Sequence, residues 1–590
     1  MILEPQRRTS IYDLLRPPEG FGIDALVACT YSASLETVLS LPAVMLADLT
    51  GRERRGGPYV AADLAALRRV CDRTLVFCQA AAIHPAAMLP AAVIETERMV
   101  HEVTAPAGGA FHPKVWVARY VDGADRKLIR VAVMSRNLTG DSSWDAGLIV
   151  EGPPGRARQA DCEITLLLQS LPGMCLRPLS SRARGILAQL AGEVCSVGWR
   201  LPSEISSLRF HTLGTSIGRG WTQPPSDRLL VISPFLTSGG LKVLAKSSED
   251  PFLLVSRPNA LDRCWPAAKG KFARQMVLSA PVLTDEANPQ HGGLHAKILG
   301  WESRGRVRMA MGSMNATGPA MDGSNVEFLA SFDCTKAFGA EGLAALLDGR
   351  ALGTCLVDYE PPQNEEPSVE PDYRPGTAVL STAGLHLRAE ATDGGWSVAL
   401  MPVKPLGADL VTLLPNLRFR LATTMAGRWS CCGEALAKGE PAQFVDALDL
   451  AEVTGFVVFE TTGPDGTVSF TLNLEVLGVD EEERRQAVVR ATIPTRRHLE
   501  EFLRGMLGDS SGTGGPIGGD EEGTTVLAWS GGGAAGLLEA LVRCASDDPP
   551  RLQSIKAALD ALGTHQLESL APKGFLPLWE KLLRAVESKK

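Results

Sequence analysis

The chain has 590 residues, of which 45% are hydrophobic and 21% charged, with a net charge of −8. That length exceeds a single hydrophobic core and points to three or four domains. The acidic balance excludes a basic nucleic-acid coat over the whole chain, but not a local basic cleft. The twelve cysteines contain no Cys-x-x-Cys pair, so neither a zinc spacing nor a disulfide framework is present and a reduced cytosol is expected. Residues Met1 to Arg8 lack the apolar segment of a signal peptide, and no apolar run approaches the ~18 residues of a membrane span. A cytoplasmic protein that does not enter a membrane is therefore expected. Its Ala, Gly and Arg usage fits a GC-rich bacterial source.

In chain order, the pattern predicts a buried strand at 26–31, helices at 34–41 and 61–70, and a strand at 74–78. Next comes Phe111-His112-Pro113-Lys114-Val115-Trp116-Val117, then an apolar strand at 131–134 ending in Ser135-Arg136-Asn137, then a strand at 146–150. Residues 172–225 form a connection with a helix at 181–194. The scheme then restarts: a strand through Leu229 to Ser233-Pro234-Phe235, a helix at 240–245, a strand at 252–255, and Gly293-Leu294-His295-Ala296-Lys297-Ile298. A strand at 307–311 leads to Ser313-Met314-Asn315, and 326–332 closes the series. This is an internal duplication, not a short-period repeat.

The Pro- and acid-rich run at 358–367 reads as an interdomain linker. Alternating segments over 375–480 predict an antiparallel β domain, with Pro464-Asp465-Gly466 as one of its turns. Helices are predicted at 481–489, 496–507, 537–545, 552–562 and 576–586. The Gly-rich stretch 508–524 is expected to be mobile. His386, His498 and His565 are isolated and read as structural or solvated.

The chemistry lies in the duplicated set. On a strand, residues i and i+2 share a face, so His295 and Lys297 would point together, and Ser313 and Asn315 would arrive beside them. His to Asn spans 25 residues in the first copy and 20 in the second. A phosphodiester's anionic oxygens repel nucleophiles. Cleavage without a metal needs a neutral nucleophile, fixed positive charge and an acid for the leaving group. Histidine can serve as nucleophile and as acid. Lysine supplies charge, and Ser and Asn supply hydrogen bonds. Two facing copies would give one attacking and one protonating histidine, with a covalent phosphohistidine between two steps.

The duplicated His-x-Lys with downstream Ser-x-Asn resembles the phospholipase D superfamily over roughly residues 20–340. The resemblance implies two pseudo-twofold-related α/β lobes with one site between them. The expected organisation is lobe 1 at 1–171, lobe 2 with its connection at 172–357, a β-rich domain at 375–480, and a helical C-terminal region at 481–590. The expected catalytic residues are His112, Lys114, Asn137, His295, Lys297, Asn315 and Glu327. By resemblance, Glu327 orients a catalytic histidine. Ser135, Ser313 and Asp145 are supporting candidates, Arg136 is a substrate-binding candidate, and no metal or other cofactor is expected. Which histidine attacks is not given by the sequence; analogy with two-copy members favours His112.

Most members place an Asp five residues after the Lys, where this chain has Arg119 and Glu302. The resulting His-Lys-Asn form is similar to the tyrosyl-DNA phosphodiesterase branch and to certain bacterial nucleases. The expected activity is therefore a phosphodiesterase acting on nucleic acid, DNA above RNA, by resemblance in restriction or anti-phage defence. Basic residues near the motifs, Arg119, Arg126, Lys127, Arg130, Arg136, Arg304, Arg306 and Arg308, would favour such a partner. No Gly-x-x-x-x-Gly-Lys-[Ser/Thr] loop is present, so duplex unwinding would need a separate ATPase, helicase or other defence subunit. Homo-oligomerisation is not needed to complete the site. The alternatives are a phospholipid phosphodiesterase or transferase, and a non-catalytic scaffold that binds nucleic acid in a larger complex.

Overall fold

The computed structural model describes residues 3, 10–45, 61–141, 143–155, 162–216, 219–279, 293–347, 352–361, 374–445, 447–463, 466–507, 535–547, 549–571 and 574–587. The expected mobile stretch 508–524, the Pro464-Asp465 turn and most of the expected linker at 358–367 lie outside the described residues. The protein is a mixed α/β chain. It divides into two compact units, Met1–Thr37, Arg73–His84 and Val100–Asp372 in one, and Val38–Asp72, Pro85–Met99 and Tyr373–Lys590 in the other.

The first unit contains two large sheets, whose strands we number together. The first sheet has β1 (Phe21–Thr30), β2 (Thr74–Gln79), β3 (Val100–Val103), β4 (Val115–Asp122), β5 (Lys127–Met134) and β6 (Gly147–Gly152), in the order β3-β2-β1-β4-β5-β6. The second has β7 (Ser206–Leu213), β8 (Ser226–Ile232), β9 (Ser248–Val255), β10 (Arg274–Leu278), β11 (Ile298–Ser303), β12 (Arg306–Gly312), β13 (Glu327–Asp333) and β14 (Leu356–Asp358), in the order β14-β10-β9-β8-β11-β12-β13-β7. Their central six strands correspond. β1 pairs parallel with β2 and antiparallel with β4, as β8 does with β9 and β11. Antiparallel hairpins then carry each chain outward through β5 and β6, and through β12 and β13.

Alternation along the strands fills a core on both faces, as expected for a sheet covered on both sides. Leu230 and Ile232 of β8 join the core shared with the first sheet, with Val117, Val131 and the helices Glu163–Met174 and Ser181–Val194. Leu229 and Val231 pack outward under Leu241 and Leu244 of the helix Ser238–Lys246.

In the second unit, Phe456–Gly463 and Gly466–Asn473 form an antiparallel hairpin beside Arg418–Leu421. His386–Thr392 pairs antiparallel with Gly395–Met401 but parallel with Glu475–Leu477, which corrects the all-antiparallel expectation. Helices follow at Glu481–Thr492, Arg496–Leu507, Ala535–Asp547, Pro549–Leu562, Thr564–Leu570 and Phe575–Glu587.

The expected boundary of lobe 1 is also corrected. Segments 38–72 and 85–99, with the helix Ala61–Val70, group with the C-terminal unit. The helix Ala61–Val70 packs on the helix Arg496–Leu507, and a buried charge network ties these segments together. Fully buried Glu95 accepts from Arg68 (2.7 Å), Arg98 (2.8 Å) and Arg485 (3.1 Å). Glu97 accepts from Arg484 (2.7 Å), Thr454 (2.7 Å) and the Gly455 N–H (2.8 Å). Burial alone would raise the Glu95 pKa, but the Arg68, Arg485 and Arg98 charges outweigh it and hold it below its ordinary value. Truncating one partner of such a network strands buried charge. Glu95→Ala is therefore expected to cost about 3–5 kcal/mol of stability, measured by urea unfolding. A loss under about 1 kcal/mol would contradict a buried network.

Candidate active site

In both sheets, the chain just before the inner hairpin strand leaves the ladder and pairs with a loop of the other half. Phe111 bridges Val326 in parallel, and Leu294 bridges Trp144 in parallel. The His112 N–H donates to the Val326 carbonyl and the Val326 N–H to the Ala110 carbonyl, both at 2.9 Å. In the other crossing, the Trp144 N–H donates to the Gly293 carbonyl (2.8 Å), and the His295 and Ala296 N–H groups donate to the Trp144 carbonyl (2.9 Å each). The approach is close: a Cβ on Gly109 would lie 2.3 Å from the Ser324 carbonyl oxygen. This corrects one expectation. His112, Lys114, His295 and Lys297 precede β4 and β11 and are not strand residues: the histidine N–H groups are paired across the halves, while the lysine carbonyls accept from Met134 and Gly312 of their own half.

Each bridge sets a histidine from one half beside a carboxylate from the other. His112 Nδ1 lies 2.9 Å from Glu327 Oε2, and His295 Nδ1 lies 2.8 Å from Asp145 Oδ1. Each carboxylate is held by the motif serine of its own half. Ser135 Oγ donates to Asp145 (2.7 Å), and Ser313 Oγ donates to Glu327. Each serine hydroxyl also accepts a backbone N–H at 2.9 Å, from Ala146 or Phe328. Asp145, expected only as a supporting residue, thus occupies the position in one half that Glu327 occupies in the other.

The lysines are buried. Lys114 Nζ sits 3.0 Å from His112 Nε2, and Lys297 Nζ donates to the His295 carbonyl (2.7 Å). Among the described residues, neither ammonium forms an ion pair with a carboxylate. The side-chain oxygens of Asn137 and Asn315 are buried without a hydrogen-bond partner in the structure. The site therefore holds two buried lysines without carboxylate partners, an arrangement that favours an anion, and two amides whose oxygens are unmet acceptors as they stand.

Burial lowers Lys114 to about 7 against the pull of Glu327 and Asp145, and holds Lys297 well below its ordinary value, with Lys114 adding repulsion. Burial also lowers both histidines to about 4. Glu327 opposes this at His112, and Lys297 reinforces it at His295. Asp145 stays below its ordinary value because the His295 hydrogen bond and charge, with Lys297, outweigh burial.

The other basic residues near the motifs are engaged structurally. Arg119 pairs with Asp24 and Glu193, Arg126 with Asp122, Lys127 with Glu193, and Arg130 with Glu151. Arg306 and Arg308 both face Asp333, and the Arg304 N–H donates to Asp227 at a hairpin tip. Glu302 accepts from the Leu343 N–H. Arg136 is beside the site, but its guanidinium contacts Asp145 and the Thr139 and Asp141 carbonyls of its own loop.

Sequence reasoning missed three neighbours. Tyr31 packs its ring 5.3 Å from the His112 ring. Asn325 ties Ala110 (2.9 Å) to Glu327 (3.2 Å). Arg257 donates to the Leu294 carbonyl at 2.7 Å. Of these, Asn325 lies two residues before Glu327 in the sequence. Among the described residues no group of three or more His, Cys, Asp or Glu could hold a metal ion, and no helix is long and apolar enough to cross a membrane.

No family model matches the chain, and no curated protein matches it. Solved structures that match include a mutant form of yeast tyrosyl-DNA phosphodiesterase, at 10% identity and a TM-score of 0.35, covering 56% of this chain and 87% of that one. A second structure of the yeast enzyme matches at 10% identity and TM-score 0.32, covering 55% and 85%. Polyphosphate kinase from Porphyromonas gingivalis matches at 10% identity and TM-score 0.30, covering 61% of this chain and 48% of that one.

The titration of the site has a definite sign. A base whose folded pKa is lowered binds fewer protons than the unfolded chain between the two values, so stability rises with pH there. Both histidines fall from 6.5 to about 4. Their contribution is present above pH 6.5 and is lost as pH falls toward 4. The double variant His112→Gln/His295→Gln is expected to flatten the pH dependence of unfolding free energy between pH 4 and 6.5, measured in urea. An unchanged slope would mean the imidazoles do not titrate in that window.

Proposed function

We propose that this protein is a phosphodiesterase acting on nucleic acid, with DNA as the favoured substrate, through a phosphohistidine intermediate and without a catalytic metal. The observation that carries the reading is the crossed pairing of two imidazoles, each held at Nδ1 by a carboxylate from the other half. A proton held at Nδ1 by the carboxylate leaves Nε2 with its lone pair, the tautomer that a nucleophile or general base requires. The substrate phosphate sits between the two Nε2 atoms, with its oxygens on Lys114 and Lys297. Asn137 and Asn315 rotate their amides to donate to the same oxygens. The anion satisfies the buried ammoniums and raises the pKa of the neighbouring imidazoles.

In the first step His112 Nε2 attacks phosphorus. The bond from phosphorus to the leaving oxygen breaks, and protonated His295 gives its Nε2 proton to that oxygen. In the second step His295 takes a proton from water, the hydroxide attacks phosphorus, and the nitrogen–phosphorus bond breaks. The net reaction converts one phosphodiester and one water into a phosphomonoester and an alcohol. His112 is assigned the attack because Lys114 already sits beside its Nε2, where the phosphoryl group would be received. A bacterial defence or restriction setting, with a separate ATPase where duplex must be opened, completes the proposal and rests on the motif resemblance.

The test is cleavage of end-labelled DNA in excess chelator. Wild-type protein is expected to cleave. His112→Ala and His295→Ala are each expected to lose activity by at least ~10²-fold, with the double variant little worse than either single one. On a nitrophenyl phosphodiester, whose leaving group needs little protonation, His295→Ala is expected to accumulate label on His112, and His112→Ala none. Activity that requires added magnesium would overturn the metal-free mechanism, and full activity in both single variants would overturn the site.

A further inference from the structure

The two halves match closely in the backbone around the histidines and differ in the side chains of the flanking loops. In the first half, Thr30 Oγ1 donates to the Ser32 carbonyl (2.8 Å) and accepts the Leu138 N–H (3.0 Å). In the second, Ser233 Oγ donates to the Phe235 carbonyl (2.7 Å) and accepts the Ala316 N–H (3.0 Å). The next residues make matching bridges, Ala33 with Leu138 and Leu236 with Ala316. Phe235 is thus the counterpart of Ser32. At the end of the neighbouring strand, the Ala80 N–H donates to the Val103 carbonyl as the Ser256 N–H donates to the Met276 carbonyl. Arg257 is therefore the counterpart of Ala81. A buried serine and an alanine in one half correspond to a phenylalanine and an arginine in the other.

The pair occurs where α/β sheets bind ligands, on the loops beyond the carboxyl ends of adjacent parallel strands. The Arg257 guanidinium lies 5.2 Å from the Phe235 ring centroid, while 42% of Phe235 remains exposed. Arg257 Nε is fixed on the Leu294 carbonyl, one residue before His295. Its guanidinium has no ion-pair partner among the described residues. Burial lowers Arg257 from its ordinary value, partly offset by Asp141 and Asp145, and its charge in turn depresses Lys297. The two loops are tied by Ser256 Oγ, which donates to the Ser233 carbonyl at 2.6 Å. A rigid aromatic surface with a cation beside it is a means of holding single-stranded nucleic acid: the base stacks and the phosphate pairs with arginine.

We infer that Phe235 and Arg257 form a nucleotide subsite on the His295 side of the cleft, taking one base and one phosphate of a single strand next to the phosphate being cleaved. The inference rests on the phosphodiesterase reading and gives the cleft a polarity that the twofold motif pattern lacks. Because His295 protonates the leaving oxygen, the subsite belongs to the departing nucleotide, while the corresponding loop of the first half places Tyr31 beside His112.

The experiment measures binding of a fluorescent single-stranded DNA to the full chain by anisotropy, and its cleavage in parallel. The strand carries either a normal or an abasic nucleotide on the departing side. The wild-type protein is expected to bind the abasic strand about 5- to 150-fold more weakly, the range for one stacked base. Phe235→Ala is expected to abolish that difference, and Phe235→Trp to keep it. Arg257→Ala is expected to lower the slope of log affinity against log salt by about 0.7, the loss of one single-strand phosphate contact. An abasic difference that persists in Phe235→Ala, or a salt slope unchanged in Arg257→Ala, would overturn the subsite. Wild-type protein that binds with the expected base dependence but never cleaves would overturn the function and keep the subsite. Cleavage with no base dependence would do the reverse. Absence of both binding and cleavage would overturn both, and equal preference for duplex would overturn the single-strand assignment.

Discussion

The site depends on two short backbone bridges, Phe111 with Val326 and Leu294 with Trp144. Each takes the histidine end of a His-x-Lys segment off its own sheet and pins it to a loop of the other half. A hydrogen bond between an imidazole and a carboxylate is directional, so its geometry must be set by something stiffer than a side chain. Here the backbone sets it. His112 follows Phe111 and Glu327 follows Val326, and the same order holds for His295 after Leu294 and Asp145 after Trp144. Neither half contains a complete histidine–carboxylate pair, and both pairs form only when the halves are joined. The continuous core under the two sheets then helps set the geometry of the site, because any shift between the sheets would break both pairs together.

The second constraint is charge. Two lysines with almost no solvent access, among imidazoles held neutral by burial, form an electrostatically incomplete site. Isolated buried ammoniums are costly, and the site answers by lowering their affinity for protons. The carboxylates that could neutralise them are oriented onto the histidines and held there by Ser135 and Ser313. The unpartnered oxygens of Asn137 and Asn315 are unmet acceptors, of opposite sense to the lysine donors. In contrast, most arginines on the neighbouring hairpins are matched to acids. Their charge supports the sheets and contributes little to drawing a polyanion. The proposed substrate contact therefore concentrates in the buried set and in Arg257.

Much of this was legible in the sequence. The duplicated His-x-Lys and Ser-x-Asn, the apolar strands around them and the restart of the pattern near residue 229 are local signals. Burial on both faces demands continuous apolar runs, and delivery of Ser135 or Ser313 at a strand end needs only that strand. The helices at 61–70, 181–194 and 496–507 were likewise set by local periodicity, which survives whatever the helix packs against.

The tertiary structure decided what depends on distant partners. Asp145 and Glu327 lie at different spacings from their asparagines, so sequence distance favoured one of them; the crossing of the halves makes them equivalent. The His-x-Lys segments read as strands because their apolar neighbours alternate, yet their hydrogen bonds go to residues about 150 to 215 positions away. Helix 61–70 read as part of the first lobe by proximity in the chain, but Arg68 and Glu95 belong to a charge network completed by Arg485. Phe235 closes the Ser233-Pro234-Phe235 strand end legible in the sequence, whereas Arg257 carried no motif, and only the matching of loops between the halves brought the two together. Sequence determined which groups could do the chemistry, since residue type and local period fix side-chain character and strand position. Which carboxylate meets which histidine was decided by the fold, because that depends on backbone pairing between segments that no local pattern connects.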